Sequence, residues 1–212
     1  MIIIMPIPTT GSKTELQAIN QILASVGQAP VTTLERTNPD VAISYDTLME
    51  VSREVQSEGW TFNREYGYPF TPNENSEIPY PPNALQLDIS NDPYYYKGRT
   101  YDTVRRDDKL YDRRKHSFKF TETINCDVKW FFDWKDLPIP IQDYITCRAS
   151  TIVCNRLIGD PEQYQILQQK EAYMRAMALE YETQQGDYSM LNSPRRETNY
   201  IGYQVATTLQ RY

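Results

Sequence analysis

Histidine is almost absent from this chain. His116 is the sole one, which excludes any catalytic or metal centre that needs two. It stands beside Arg113, Arg114 and Lys115 with no serine or cysteine motif around it, and it reads as a surface residue. Cysteine is scarce as well. Cys126, Cys147 and Cys154 form no C-x-x-C pair, and their odd count and spacing fit no zinc site, so they read as buried reduced thiols. No apolar run approaches the ~18 residues of a membrane span. The run Ile2-Ile3-Ile4-Met5 is too short for the apolar region of a signal peptide, and Pro6 and Pro8 follow it. Nucleotide-binding glycine loops, a G-x-S-x-G elbow and H-E-x-x-H are all missing. Asp107 and Asp108 are neighbours, and an extended segment would point them to opposite faces, which suits no paired acid–base work. Basic charge is not in excess either: 22 Lys and Arg stand against 28 Asp and Glu, a net of −6. That balance argues against wholesale coating of nucleic acid. No catalytic, cofactor-binding or metal-ligating residue is assigned, and the sequence predicts a soluble, non-enzymatic protein.

What is present is tyrosine and helix signal. Seventeen tyrosines in 212 residues supply large contact area with a polar tip, a composition suited to interfaces. Residues 1–12 read as an arm. Leu16, Ile19, Ile22, Leu23 and Val26 make one helical stripe, with Thr14 and Gln17 spaced as a capping box and Gly27 placed to end it. Asn38-Pro39-Asp40 opens a second helix, Val41, Tyr45, Leu48, Val51 and Val55 give it an apolar side, and Gly59 ends it. Trp60 and Phe62 read as core anchors. After Pro138 and Pro140 a third helix carries Ile141, Ile145, Ile152 and Val153. Asp160-Pro161 caps a fourth over about 161–185, with Tyr164, Leu167, Met174, Met177, Ala178 and Tyr181 as expected contacts.

Between the helical halves the pattern changes. Pro69, Pro72, Pro79, Pro81 and Pro82 rule out a continuous helix. Leu85, Leu87 and Ile89 alternate with polar residues, as a half-buried strand requires. Tyr94 to Val104 reads as strand, turn at Lys97-Gly98, strand. Ser117–Phe120 and Ile124–Phe132 read as two more, with Ile124, Cys126, Val128 and Trp130 on one face. The predicted fold is α+β, mainly α: a four-helix bundle with an inserted antiparallel β subdomain and an extended C-terminal arm. The expected boundaries are 1–65 and 136–192 for the two bundle halves, 66–135 for the insertion and 193–212 for the arm. In the arm Tyr203, Val205, Thr207 and Leu209 alternate with polar residues, a pattern able to add as a strand to another chain.

Residues 97–119 are locally basic. Lys97, Arg99, Arg105, Arg106, Lys109, Arg113, Arg114, Lys115 and Lys119 outnumber Asp102, Asp107, Asp108 and Asp112, nine to four. With tyrosines interleaved, three readings stay open: a single-strand nucleic-acid surface, a solvated hairpin whose charges pair across strands, or docking to an acidic protein.

Three blocks carry a family resemblance. The first is Ile22-Leu23-Ala24-Ser25-Val26-Gly27, then Pro30, Val31, Thr33, Leu34 and Glu35. The second is Gly59-Trp60-Thr61-Phe62-Asn63. The third joins Asp136-Leu137-Pro138, Gly159-Asp160-Pro161-Glu162 and Tyr188-Ser189-Met190-Leu191. In this order they resemble the tail tubular protein A family, the head-to-tail adaptors (connectors) of short-tailed bacteriophages of the podovirus type. The resemblance implies a structural virion protein of the tail or neck, synthesised and assembled in the host cytoplasm. It implies a homo-oligomeric ring, dodecameric in the family, between the portal protein and the tail nozzle protein of the tail tubular protein B type. DNA passes through the lumen during ejection without specific binding, and no membrane or cofactor is involved. On this reading Arg195, Arg196, Tyr200, Tyr203, Val205 and Leu209 of the arm are candidate portal contacts. Arg105, Arg106, Arg113 and Arg114 are candidate nozzle contacts. The alternative function is a nucleic-acid-binding module using the basic hairpin 97–119.

Overall fold

A computed structural model describes residues 13–90 and 100–186 of the chain. The N-terminal arm, the 91–99 stretch with its expected Lys97-Gly98 turn, the Tyr188–Leu191 block and the C-terminal arm lie outside the described residues. The elements in chain order are α1 (Glu15–Ser25), α2 (Pro39–Glu58), β1 (Arg64–Phe70), β2 (Ala84–Ile89), β3 (Thr103–Arg106), β4 (Lys109–Asp112), β5 (Ile124–Trp130), α3 (Ile139–Leu157) and α4 (Pro161–Gly186). The fold is α+β and mainly α.

Local chemistry sets the helix ends. At α1 the Gln17 backbone N–H donates to Thr14 Oγ1 at 3.2 Å and the Thr14 N–H donates to Gln17 Oε1 at 2.9 Å, a complete capping box. At its far end the Gln28 N–H reaches Leu23 O at 2.9 Å and the Gly27 N–H reaches Ala24 O at 3.2 Å. Gly27 supplies the positive φ of 75° that this paired stop requires. Asn20 then clasps the departing chain, accepting from Val31 N at 2.8 Å and donating to Val31 O at 2.9 Å. Asn38 Oδ1 accepts from Asp40 N to start α2, with Pro39 in its first turn.

The helical core forms around α3, which contacts the other three helices. Ile19 and Ile22 of α1, Leu48, Val51 and Val55 of α2, and Ile141, Tyr144, Ile145 and Val153 of α3 are fully buried. Each such aliphatic side chain contributes ~1.5–3 kcal/mol. Trp60 joins this core, as expected, and Phe62 packs at its edge. From α4 the buried apolar residue is Ala178. Met177, expected inside, is 42% exposed, because α4 leans on the bundle through one narrow side. Charge completes that side. Glu50, Glu54 and Glu58 repeat every four residues along α2 and meet Arg156, Arg148 and Arg175 at 3.2, 2.7 and 3.0 Å. Arg148 also reaches Glu171 of α4. Arg175 donates to the hydroxyl of buried Tyr144 at 2.6 Å, and these bonds, that to Glu58 first, hold its guanidinium above its ordinary range.

The sheet has the order β1-β5-β2, antiparallel throughout, with β5 in the middle. Ile124, Cys126 and Val128 of β5 are buried on one face as the alternation predicts. Two bulges depart from simple alternation. In β2 the pairing shifts between Ala84 and Gln86, so Ala84, Leu87 and Ile89 are buried while Leu85 is only half-buried. In β1 it shifts between Glu65 and Tyr68; Gly67 there has φ +63° and its N–H donates to Asp127 Oδ1. β1 itself escaped the sequence reading, since its glycine and Pro69 signal a loop; an edge strand tolerates both. Ser117–Phe120, expected as a strand, makes one bridge from Ser117 to Asp112, and Phe120 instead enters the second core with Ile78, Leu110 and Ile124. All three cysteines are buried and free, and burial pushes the Cys126 thiol up.

Two buried amides join bundle to sheet. Gln56 accepts from Phe132 N at 2.8 Å and donates to Phe132 O at 3.1 Å and to Ser52 Oγ. Asn63 donates to Gln56 O and Trp130 O and accepts from Trp60 N. Glu182 of α4 closes the corner by accepting from the Thr61 N–H and hydroxyl. Replacing Gln56 by Leu leaves the Phe132 backbone unpaired in the interior, so Gln56→Leu is expected to destabilise by about 2–5 kcal/mol. Urea unfolding followed by circular dichroism measures this; exposed Gln184→Leu serves as the comparison with little change.

Candidate functional site

The four candidate nozzle arginines fall on the β3–β4 hairpin and the turn after it. The register pairs Arg106 with Lys109 at the tip and Thr103 with Asp112 at the base. The tip is the Asp107-Asp108 pair, with φ +48° and +53°. These carboxylates are therefore turn residues, not members of an extended segment. Two successive left-handed residues suit the twist of a two-residue hairpin, and aspartate tolerates that region.

The hairpin does not gather its arginines. Arg105 and Arg106 are consecutive in a strand and project to opposite faces. Arg113 and Arg114 lie beyond the base. Arg105 donates to Asp108 Oδ1 at 2.6 Å and lies 4.7 Å from the Tyr80 ring centroid. Arg106 sits 4.1 Å over Tyr111, whose ring meets Phe118 edge-on at 4.9 Å. Arg113 donates to Asp102 Oδ1 at 2.8 Å, and this bond is the main cause that raises its guanidinium above the ordinary range. The Arg114 N–H donates to Asp112 Oδ1. Lys115 lies 4.2 Å over Tyr101. His116 is exposed in the same turn.

Two acids organise this region, and sequence reading missed the role of both. Glu77 takes Lys109 at 2.7 Å and Lys119 at 3.6 Å. The Lys109 hydrogen bond is the first reason its carboxyl sits below the usual range, against an opposing desolvation. Asp112 is fully buried, and its Oδ1 accepts from Asp102 N and Arg114 N. Glu77 lies in the proline-rich connection, about thirty residues before its partner, where no local periodicity marks it. The described part of the basic stretch thus carries its own counter-charges and aromatic platforms. Pairs this exposed are individually weak, so a partner can exchange them.

An open groove of about 440 Å³ lies on the sheet between Tyr68, Phe70, Trp130 and Phe132. Its carboxylate, Glu65, accepts from Trp130 Nε1 at 3.0 Å. Among the described residues no group of three His, Cys, Asp or Glu is placed to hold a metal ion, and no helix is long and apolar enough to cross a membrane. The candidate portal contacts Arg195, Arg196, Tyr200, Tyr203, Val205 and Leu209 lie outside the described residues.

The strained tip generates a prediction. Glycine adopts positive φ without the side-chain penalty, while the Arg105–Asp108 pair is too exposed to contribute much. Asp108→Gly is expected to stabilise the protein by about 0.5–1 kcal/mol. Paired denaturation curves of wild type and variant check it.

Comparison with known proteins adds what the geometry leaves open. A family model described as tail tubular protein matches residues 16–188. Tail tubular protein A of Klebsiella phage KP34 is 27% identical over 175 residues, covering 79% of this chain and 86% of that protein. The matched region takes in both cores, the hairpin and the whole of α1 to α4 apart from the first residue of α1. The chain belongs to the tail tubular protein family, and its role is that of a structural component of the phage tail.

Proposed function

We propose that this chain is a non-enzymatic head-to-tail adaptor. Its copies close a ring, twelve by the family resemblance, between the portal protein and the tail nozzle protein, and the genome passes through the lumen. The observation that carries this reading is the family match over residues 16–188. A cyclic head-to-tail contact lets one short chain enclose a channel. A net charge of −6 works against adhesion of the passing polyanion. The protein is synthesised and assembled in the host cytoplasm and carried in the virion.

The C-terminal arm, with Arg195, Arg196, Tyr200, Tyr203, Val205 and Leu209, engages the portal. On mixing with the cognate portal ring, both proteins are expected to elute together at high mass on size-exclusion chromatography. Truncation after Asn192 is expected to leave the helical signal intact and weaken this association. Separate elution of the intact proteins at micromolar concentration and at low and moderate salt overturns the reading.

The hairpin faces the nozzle protein. Arg105, Lys109, Arg113 and Lys119 are already paired with acids of the chain, so they guide register by exchange with a partner's acids rather than supply a long DNA track. Substituting Arg105, Arg106, Arg113 and Arg114 by Ser is expected to spare the portal-bound ring and impair nozzle recruitment in a pull-down. A steeply salt-dependent DNA affinity that vanishes in this variant, with nozzle recruitment intact, favours the nucleic-acid-binding module instead.

A further inference from the structure

The outward side of α4 has no partner among the described residues. Ile166, Tyr173 and Met177 follow at spacings of seven and four, which aligns them in one stripe. They are 67%, 62% and 42% exposed. Lys170 lies within the stripe and Glu180 at its end, with Gln169 and Ala176 beside them, while Leu179 is exposed on another side of the helix. From Gln163 to Gln185 the exposed charged residues are Lys170 and Glu180. A helix built for solvent carries more charge, whereas the centre of a protein interface is poor in charge and rich in tyrosine and methionine. The opposite side of the same helix is committed to the bundle through Ala178, Arg175 and Glu182.

We propose that this stripe packs against a second copy of the chain, as the lateral contact of the ring. The ring rests on the adaptor reading; self-association through α4 does not. Size identifies the occupant. From Ile166 to Glu180 the stripe runs ~20 Å along α4, and a width of ~10 Å gives a footprint of roughly 200 Å². That is about a quarter of the ~800 Å² a stable partner contributes. A single such contact is too small to hold two molecules in dilute solution. It suffices where a template holds copies side by side, because the effective concentration of neighbours is then high and each copy is held from both flanks. The contact therefore belongs between repeated neighbours rather than between this chain and a lone foreign partner.

The test uses the full chain. Tyr173→p-benzoylphenylalanine, at an exposed position, reports what touches the stripe, with the adduct identified by mass spectrometry. The expected adduct is a second copy, formed on the portal ring and, for the protein alone, only at high concentration. In parallel, Ile166→Lys combined with Tyr173→Glu and Met177→Lys is expected to lower self-association in sedimentation by about tenfold or more and to reduce the copies loaded on the portal, with circular dichroism unchanged. Adducts confined to portal, nozzle protein or residues 187–212 of the same chain overturn the proposal. So does a portal-bound ring without copy-to-copy adducts, or equal loading of wild type and triple variant. If the portal recruits neither form, yet concentration-dependent self-association and its adduct appear and the triple variant loses them, the adaptor reading falls and the α4 contact stands. If neither a ring nor self-association appears, both fall.

Discussion

The buried amides of Gln56 and Asn63 hold together parts that otherwise have separate cores. Each helical and strand element satisfies its own backbone, but the corner between them cannot. The chain leaves α2, turns at Trp60, and starts β1 within six residues, while β5 ends and turns back towards α3 beside it. Backbone groups at such a corner are shielded from water by both cores. Gln56 and Asn63, fully buried, supply the missing partners. The cost of leaving those groups unpaired makes the relative placement of bundle and sheet specific in a way that apolar packing, being non-directional, does not.

Elements whose signal lies in neighbouring residues were legible in the sequence. The capping box at Thr14, the Asn38-Pro39 start and the Asp160-Pro161 start each depend on side chains within three positions of the backbone they satisfy. The alternation in β5 was legible because both its neighbours bury the same face. β1 was not, since an edge strand with a bulge and a proline has the composition of a loop. Nor was the hairpin tip, because Asp-Asp lacks the glycine that marks most two-residue turns. Glu77 and Asp112 were opaque for another reason: their roles follow from burial and long-range pairing, which only tertiary structure creates. The family was legible from three short blocks, whose described parts sit at the end of α1, at the Trp60 corner, at the start of α3 and at the α3–α4 junction, where Gly27, Gly59 and Gly159 take positive φ and backbone geometry rather than chemistry fixes residue identity.

The basic stretch illustrates how composition misleads about electrostatics. Nine cations against four acids read as a positive patch. The fold brings in Glu77 from outside the stretch and lays arginine and lysine on tyrosine rings. The resulting surface keeps an excess of cations, but several of them are held at fixed positions by acids and rings. Such a pattern discriminates partners by register, since a displaced partner sets like charges against each other.

The central position of β5 has a consequence for how the molecule comes into being. β1 and β2 do not pair with each other; both wait for a strand that emerges from the ribosome last among the five. The bundle obeys the same rule, because α1 and α2 gather on α3. The sheet core needs the chain through β5, to about residue 130, and the helical core needs it through α3, past about residue 150, so folding depends on contacts distant in sequence. A chain that ends before α3 presents Ile19, Ile22 and Val51 to its surroundings. Quality control is thereby built into the connectivity: only a chain synthesised through its third helix has a surface fit to meet its neighbours.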